Sequence, residues 1–225
     1  MRYDLIVIGM GLSGLMSAKT AVDAGAKVLV VGKGTGGLCL FTSGIDVMGA
    51  LPAGAAMGEA LPRWIERHPD HPYAKMGWEG VREALEAFAE LFPPPYGFAP
   101  EGEGNCLLPT GAGTTRPTYL VPATMRSACR LEKERTLLVG FQGFRDFYAE
   151  YAAAGLKCRG ENLAIPEIAG RNNSATSLAR LLEDLPFREQ VAAEIVRRLR
   201  GETHVGFPAL LGFRNPMDIL EDLEG

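Results

Sequence analysis

The stretch that most restricts the fold is Leu5-Ile6-Val7-Ile8 running straight into Gly9-Met10-Gly11-Leu12-Ser13-Gly14. Four consecutive aliphatics read as a strand of a parallel sheet, buried on both faces. The six residues that follow fit G-x-G-x-x-G. In that pattern Gly9 permits a tight turn, Gly11 lets a phosphate approach the backbone, and Gly14 lets helix and strand pack closely. A helix beginning at Leu12 and Ser13 offers free N–H groups and its positive dipole end to an anion. Ala18 and Ala21 keep one helix face small, Gly25 ends the helix, and Lys27-Val28-Leu29-Val30-Val31 reads as a second buried strand. Strand, glycine turn, helix and strand in this order are the context that makes the motif a nucleotide diphosphate site.

One element is missing. Such units usually place Asp or Glu at the end of the second strand, where it binds a ribose hydroxyl. Here that position is Gly32, followed by Lys33. Either an adenosine ribose is held otherwise, or the cofactor lacks an adenosine. The loop from Gly32 to Gly49 is rich in Gly, Ser and Thr. Glycine lets a planar ligand approach, and the hydroxyls of Thr42 and Ser43, beside Gly44, can bond its polar edge. A plain connector held by local turn bonds fits these residues as well.

The 225 residues, 47% hydrophobic and 22% charged, are enough for a substantial core. A net charge of −4 without a long basic run argues against a nucleic-acid partner. The uncharged run Leu5–Ala18 falls short of the roughly 20 residues a membrane span needs, and Asp4 with the internal glycines spoils it as an export signal. The expectation is a cytoplasmic chain. Its cysteines (Cys39, Cys106, Cys129 and Cys158) are widely spaced, without the C-x-x-C pairing of zinc or iron–sulfur sites. They read as buried or idle thiols, with disulfides open.

Further along, Val81, Leu85, Phe88 and Phe92 form a helical stripe within Trp78–Phe92, with Glu83, Glu86 and Glu90 outward, and Pro93-Pro94-Pro95 ends it. Thr136–Gly140 reads as a buried strand, Phe144–Ala154 as a helix with an aromatic face. Phe187, Val191, Ile195 and Leu199 form another stripe, read as core. His68 and His71 invite a metal reading, but Pro69 and Pro72 forbid a helix there and no third ligand completes a site, so a proline-held turn is preferred. His204 reads as structural. Asn172, Asn173 and Ser174 are alternative helix caps. Arg116, with Thr118 two residues on, suits an oxyanion or is a solvated loop charge. No residue set identifies a catalytic base.

Taken in order, the segments MRYDLIVIGMGLSGL, FTSGIDVMGALP, HPDHPYAKMG, GTTRPTYL, LLVGFQGFRDF and RNNSATSLAR resemble the B-subunit family of anaerobic glycerol-3-phosphate dehydrogenases. The resemblance implies an α/β fold, with a Rossmann-like FAD/NAD(P)-binding βαβ core and an inserted or capping α+β region. Residues 1–50 would be the nucleotide-binding unit and flavin loop, 51–135 the cap, and 136–225 an α/β continuation. Such subunits are longer, and the segment that closes over the cofactor is expected to be absent here.

The cofactor implied is a flavin, FMN or FAD, held by Gly9, Gly11, Leu12, Ser13, Gly14, Gly32, Lys33, Thr42, Ser43 and Gly44. Arg116 and Thr118 would face substrate, and no metal site is expected. The implied role is to pass electrons from oxidation of glycerol 3-phosphate toward membrane quinone. Implied partners are a catalytic A-type subunit and an iron–sulfur membrane-anchoring subunit, with contact to the inner face of the membrane only through them. Two other readings remain open: an assembly subunit that retains no flavin, and an FAD-dependent oxidoreductase of another substrate.

Overall fold

The computed structural model describes residues 1–225 except 35–43, 134, 169, 213 and 225. The opening unit forms as its sequence dictates. Strand β1 (Leu5–Ile8) lies parallel to β2 (Val28–Val31), with Leu5 opposite Val28 and Ile8 opposite Val31, and helix α1 (Leu12–Asp23) crosses between them. Gly25, at φ +87°, reverses the chain after α1, a backbone angle that glycine adopts without a Cβ penalty. Asp4 accepts a 2.9 Å hydrogen bond from the Lys27 amide, tying the entrances of the two strands together.

The expected burial of this pair on both faces is not found. Val7 faces α1, since a Cβ placed on Gly14 would come 3.4 Å from its side chain. Side chains alternate across a strand, so Ile6 and Ile8 face away from α1, and they are 57% and 87% exposed. The apolar run is a strand, as expected, but its second face has no cover among the described residues.

The main core surrounds a three-stranded parallel sheet, ordered β8-β7-β9. The central strand β7 (Thr136–Phe141) is buried throughout, flanked by β8 (Arg159–Leu163) and β9 (His204–Gly206). On one face Leu137, Val139 and Phe141 meet Phe187, Val191 and Ile195 of α6 (Leu185–Arg198), with Leu178 of α5 (Ala175–Leu181) and Ile219 of α7 (Pro216–Glu224). On the other face Leu138 packs on Ala149, Ala152 and Ala153 of α4 (Ala149–Leu156). The stripe expected through Leu199 stops one turn short, because Leu199 turns to an extended conformation at the helix end.

The helix expected over Phe144–Ala154 begins only at Ala149. Phe144 is instead buried in the core and bridges Asn173 in parallel, so its aromatic ring serves the sheet layer rather than a helix face. Tyr148 and Tyr151 are exposed. Ser174 is the cap of α5: its hydroxyl accepts from the Ser177 amide, and Ser177 returns the bond. Asn173 is buried and donates to the Ile168 carbonyl at 3.0 Å.

Helices α2 (Met57–Glu66) and α3 (Pro72–Ala89) pack together around Met57, Leu61 and Val81. His71 caps α3 by accepting from the Tyr73 amide, with Pro72 in the first turn, so the histidine–proline motif is a helix start. Gly77 (φ +68°) kinks α3 at the boundary expected near Trp78. The helix ends at Ala89, and Phe92 leaves it to join Phe88 and Phe98.

Beyond α3, strand β3 (Phe98–Ala99) pairs with β6 (Val121–Pro122). A hairpin joins β4 (Cys106–Pro109) to β5 (Thr115–Thr118). Cys106 and Cys129 form a disulfide, with Cα atoms 5.7 Å apart, linking β4 to the 3₁₀ segment Ala123–Lys133. This corrects the idle-thiol reading for that pair, which sequence spacing could not connect. Cys158 is a free thiol, and burial pushes its pKa up.

Candidate functional site

The carboxyl ends of β1 and β2 hold the first candidate group. Gly9 adopts φ +112° and donates to the Val31 carbonyl at 2.8 Å, which sets the turn at the strand end. An added Cβ on Gly14 would lie 2.5 Å from the Gly9 carbonyl oxygen, so only glycine permits this approach of helix and turn. Gly11 differs: nothing lies within 4 Å of where its Cβ would be. It is the N-cap of α1, in extended conformation, and no side chain caps the helix start. The amides of the first turn, at Leu12, Ser13 and Gly14, therefore remain available to an anion beside an open patch of backbone. This arrangement fits the diphosphate of a dinucleotide.

Gly32 and Lys33 sit at the end of β2, both exposed. A Cβ on Gly32 would collide with the Met10 side chain, which occupies that space. A side chain at position 32 would require Met10 to move aside. This contact joins residues 22 positions apart and no sequence motif announces it.

The second candidate group is centred on Gly44, whose loop neighbours Thr42 and Ser43 lie outside the described residues. Gly44 is buried against the hairpin, its Cβ position 2.6 Å from Thr118 Cγ2 and 3.2 Å from Arg116 Nη2. The structure thereby brings together Gly44, Arg116 and Thr118, three residues singled out from distant parts of the sequence. It adds Asp46, which sequence reasoning missed. The buried Thr118 hydroxyl donates to Asp46 Oδ1 at 2.8 Å, and Arg116 Nε lies 3.4 Å from the same oxygen. Ile45 pairs with Leu120 just beyond, holding the segment in register against the hairpin. Burial pushes the adjacent Tyr119 phenol up from its ordinary value, and its ring meets Trp78 edge-on.

His68 stacks on Trp64 and its Nδ1 lies 2.8 Å from the Trp64 carbonyl, a local arrangement at the end of α2. Among the described residues no group of three metal-ligating side chains comes together, and no helix is long and apolar enough to cross a membrane.

Comparison with known proteins agrees with the geometry at the glycine turn. Residues 4–224 match the FAD binding domain family. The probable B subunit of the anaerobic glycerol-3-phosphate dehydrogenase of Halobacterium salinarum is 32% identical over 98% of this chain and 55% of its own length. The B subunits of the anaerobic glycerol-3-phosphate dehydrogenases of Yersinia enterocolitica and Vibrio cholerae are 31% and 27% identical, over 94% and 100% of this chain and 54% and 56% of theirs. The chain therefore spans about half the length of the curated relatives it matches. No solved structure matches. With the match running from Asp4 to Glu224, the chain belongs to the FAD binding domain family.

Proposed function

We propose that this chain is the nucleotide-binding portion of the B subunit of an anaerobic glycerol-3-phosphate dehydrogenase. In this reading Gly9, Gly11 and Gly14, with the amides of Leu12 and Ser13, hold the diphosphate of FAD. The family match favours FAD over FMN. The observation that carries the reading is the uncapped start of α1 beside the open backbone at Gly11.

Bound FAD would accept a hydride equivalent, and the protein's part is to place it and shield it from water. Gly32 and Lys33 would border the adenosine end, and Thr42, Ser43 and Gly44 the flavin end. Arg116 is proposed to take a phosphate oxyanion of the substrate through its planar guanidinium, oriented by Asp46. Thr118 holds Asp46 in turn. The complex would pass electrons from glycerol 3-phosphate toward quinone, in company with an A-type catalytic subunit and an iron–sulfur anchoring subunit. The relatives' designation as B subunits supports the existence of further subunits.

A second reading is an assembly subunit that keeps the fold without flavin, and the uncovered face of the β1–β2 pair favours it. Titrating the purified chain with FAD, followed by flavin fluorescence, separates the two. Saturable binding that Gly11→Ala abolishes supports the first reading; no binding at any FAD concentration supports the second.

A further inference from the structure

The segment that carries Asp46 is held at each successive residue. Ile45 donates to the Leu120 carbonyl at 3.0 Å and accepts from the Tyr119 amide at 2.8 Å, and Asp46 accepts from Thr118. At Val47 the donor is a different one: the Asn105 side-chain amide reaches the Val47 carbonyl at 2.7 Å, across 58 positions of sequence. The next residue, Met48, stands at φ +40°. Among the described residues Lys157 is the other non-glycine at positive φ, and it ends α4, where helices commonly turn left-handed. Met48 follows no helix, so its left-handed angle is sustained by its neighbours.

Asn105 is itself fixed. It is 2% exposed, and its backbone carbonyl accepts from the Gly54 amide at 2.9 Å. Its Nδ2 holds the Val47 carbonyl, while its Oδ1 is buried with no hydrogen-bond partner among the described residues. A buried acceptor left unpaired costs stability. An apolar side chain of similar size would serve the core as well, so what asparagine adds here is its grip on Val47.

We infer that Asn105 is a positioning residue: by holding the Val47 carbonyl it fixes the left-handed turn at Met48 and keeps Asp46 against Thr118 and Arg116. Asn105 directly precedes Cys106, which lies opposite Thr118 in the β4–β5 register. The two donors thus approach residues 46 and 47 from neighbouring positions of one hairpin. Val47 is buried, so its carbonyl cannot stay where it is once the donor is gone. The turn at Met48 then relaxes, Asp46 leaves the Thr118 hydroxyl, and Arg116 loses the carboxylate that orients its guanidinium. The bearing on substrate rests on the role proposed for Arg116; the positioning of Asp46 does not.

The test is a double-mutant cycle on this chain, read as the thermal midpoints of the wild type, Thr118→Val, Asn105→Leu and the double variant. Thr118→Val should lower the midpoint of the wild type and leave that of Asn105→Leu unmoved, because Asp46 has already left the Thr118 hydroxyl. An equal fall in both backgrounds would overturn the inference. Should Asn105→Leu not fold, Asn105→Ala carries the same cycle. In the assembled enzyme Asn105→Leu should raise KM for glycerol 3-phosphate roughly tenfold with little change in kcat, as the loss of one well-aimed bond to a charged group does. Adding Arg116→Met should then cost less than it does in the wild-type background. A KM that Arg116→Met raises and Asn105→Leu leaves unchanged would also overturn the inference. A KM indifferent to Arg116→Met would instead remove Arg116 from the substrate site, and the thermal cycle by itself then decides whether Asn105 positions Asp46.

Discussion

The hydroxyl of Thr118 donates a 2.8 Å hydrogen bond to the carboxylate of Asp46, closing a link between residues 72 positions apart. Thr118 is buried and Asp46 is partly exposed, so the bond anchors a surface carboxylate to the hairpin core. The same carboxylate faces Arg116. Replacing Thr118 with Val keeps the shape and removes the donor. Thr118→Val should destabilise the chain by about 1.5 kcal/mol, the low end for a bond to a charged group, seen as a lower thermal midpoint. In an assembled enzyme Arg116→Met should raise KM for glycerol 3-phosphate with a smaller change in kcat. An unchanged KM would remove Arg116 from the substrate site.

Gly14 and Gly11 should respond to alanine in opposite ways. Gly14→Ala forces a Cβ against the Gly9 carbonyl, so it should lower stability by about 1–3 kcal/mol, as overpacking does. Gly11→Ala meets nothing. It should melt as the wild type does while losing FAD, because its methyl occupies the space a phosphate needs.

The contrast shows why some of the site was legible in the sequence. The β1–α1–β2 unit could be read because strand, glycine turn, helix and strand follow one another directly along the chain, in the order the motif requires. Met10 against Gly32 could not be read, nor could Asp46 against Thr118, because no sequence pattern announces a single side-chain contact between such segments. Phe144 misled the helix boundary for a related reason: an aromatic residue at helical spacing also fits a core bridge, and its pairing with Asn173 decided the matter. The aliphatic run that identified β1 was sound, yet among the described residues the face with Ile6 and Ile8 stays exposed.

The Cys106–Cys129 disulfide closes a segment with a sequence separation of 23. Chain-entropy arguments give such a link about 3 kcal/mol. Reductant should lower the thermal midpoint of the wild type, and the Cys106→Ser/Cys129→Ser chain should melt at the reduced value with no further response. A midpoint indifferent to reductant would mean that the link is not formed in solution.

Acid should act through Glu202. Its hydrogen bond from Arg159, at 2.6 Å, together with one from the Arg200 amide, lowers its pKa from 4.5 to about 2. A carboxylate with a folded pKa below its unfolded value stabilises the fold above the unfolded pKa and loses that effect as pH falls through the folded one. The wild-type chain should therefore melt above Glu202→Gln at neutral pH, with the gap closing between about pH 4.5 and pH 2. A gap independent of pH would assign the effect to packing.

Whether the glycine turn of this chain holds the diphosphate of FAD is tested most directly by a fluorescence titration. FAD is titrated with the purified wild-type chain and with Gly11→Ala, and riboflavin, which lacks the diphosphate, is the control. The predicted result is saturable one-to-one binding of FAD by the wild type, loss of it in Gly11→Ala, and no comparable binding of riboflavin. FAD binding that survives Gly11→Ala, or that riboflavin matches, would contradict a diphosphate site at this turn.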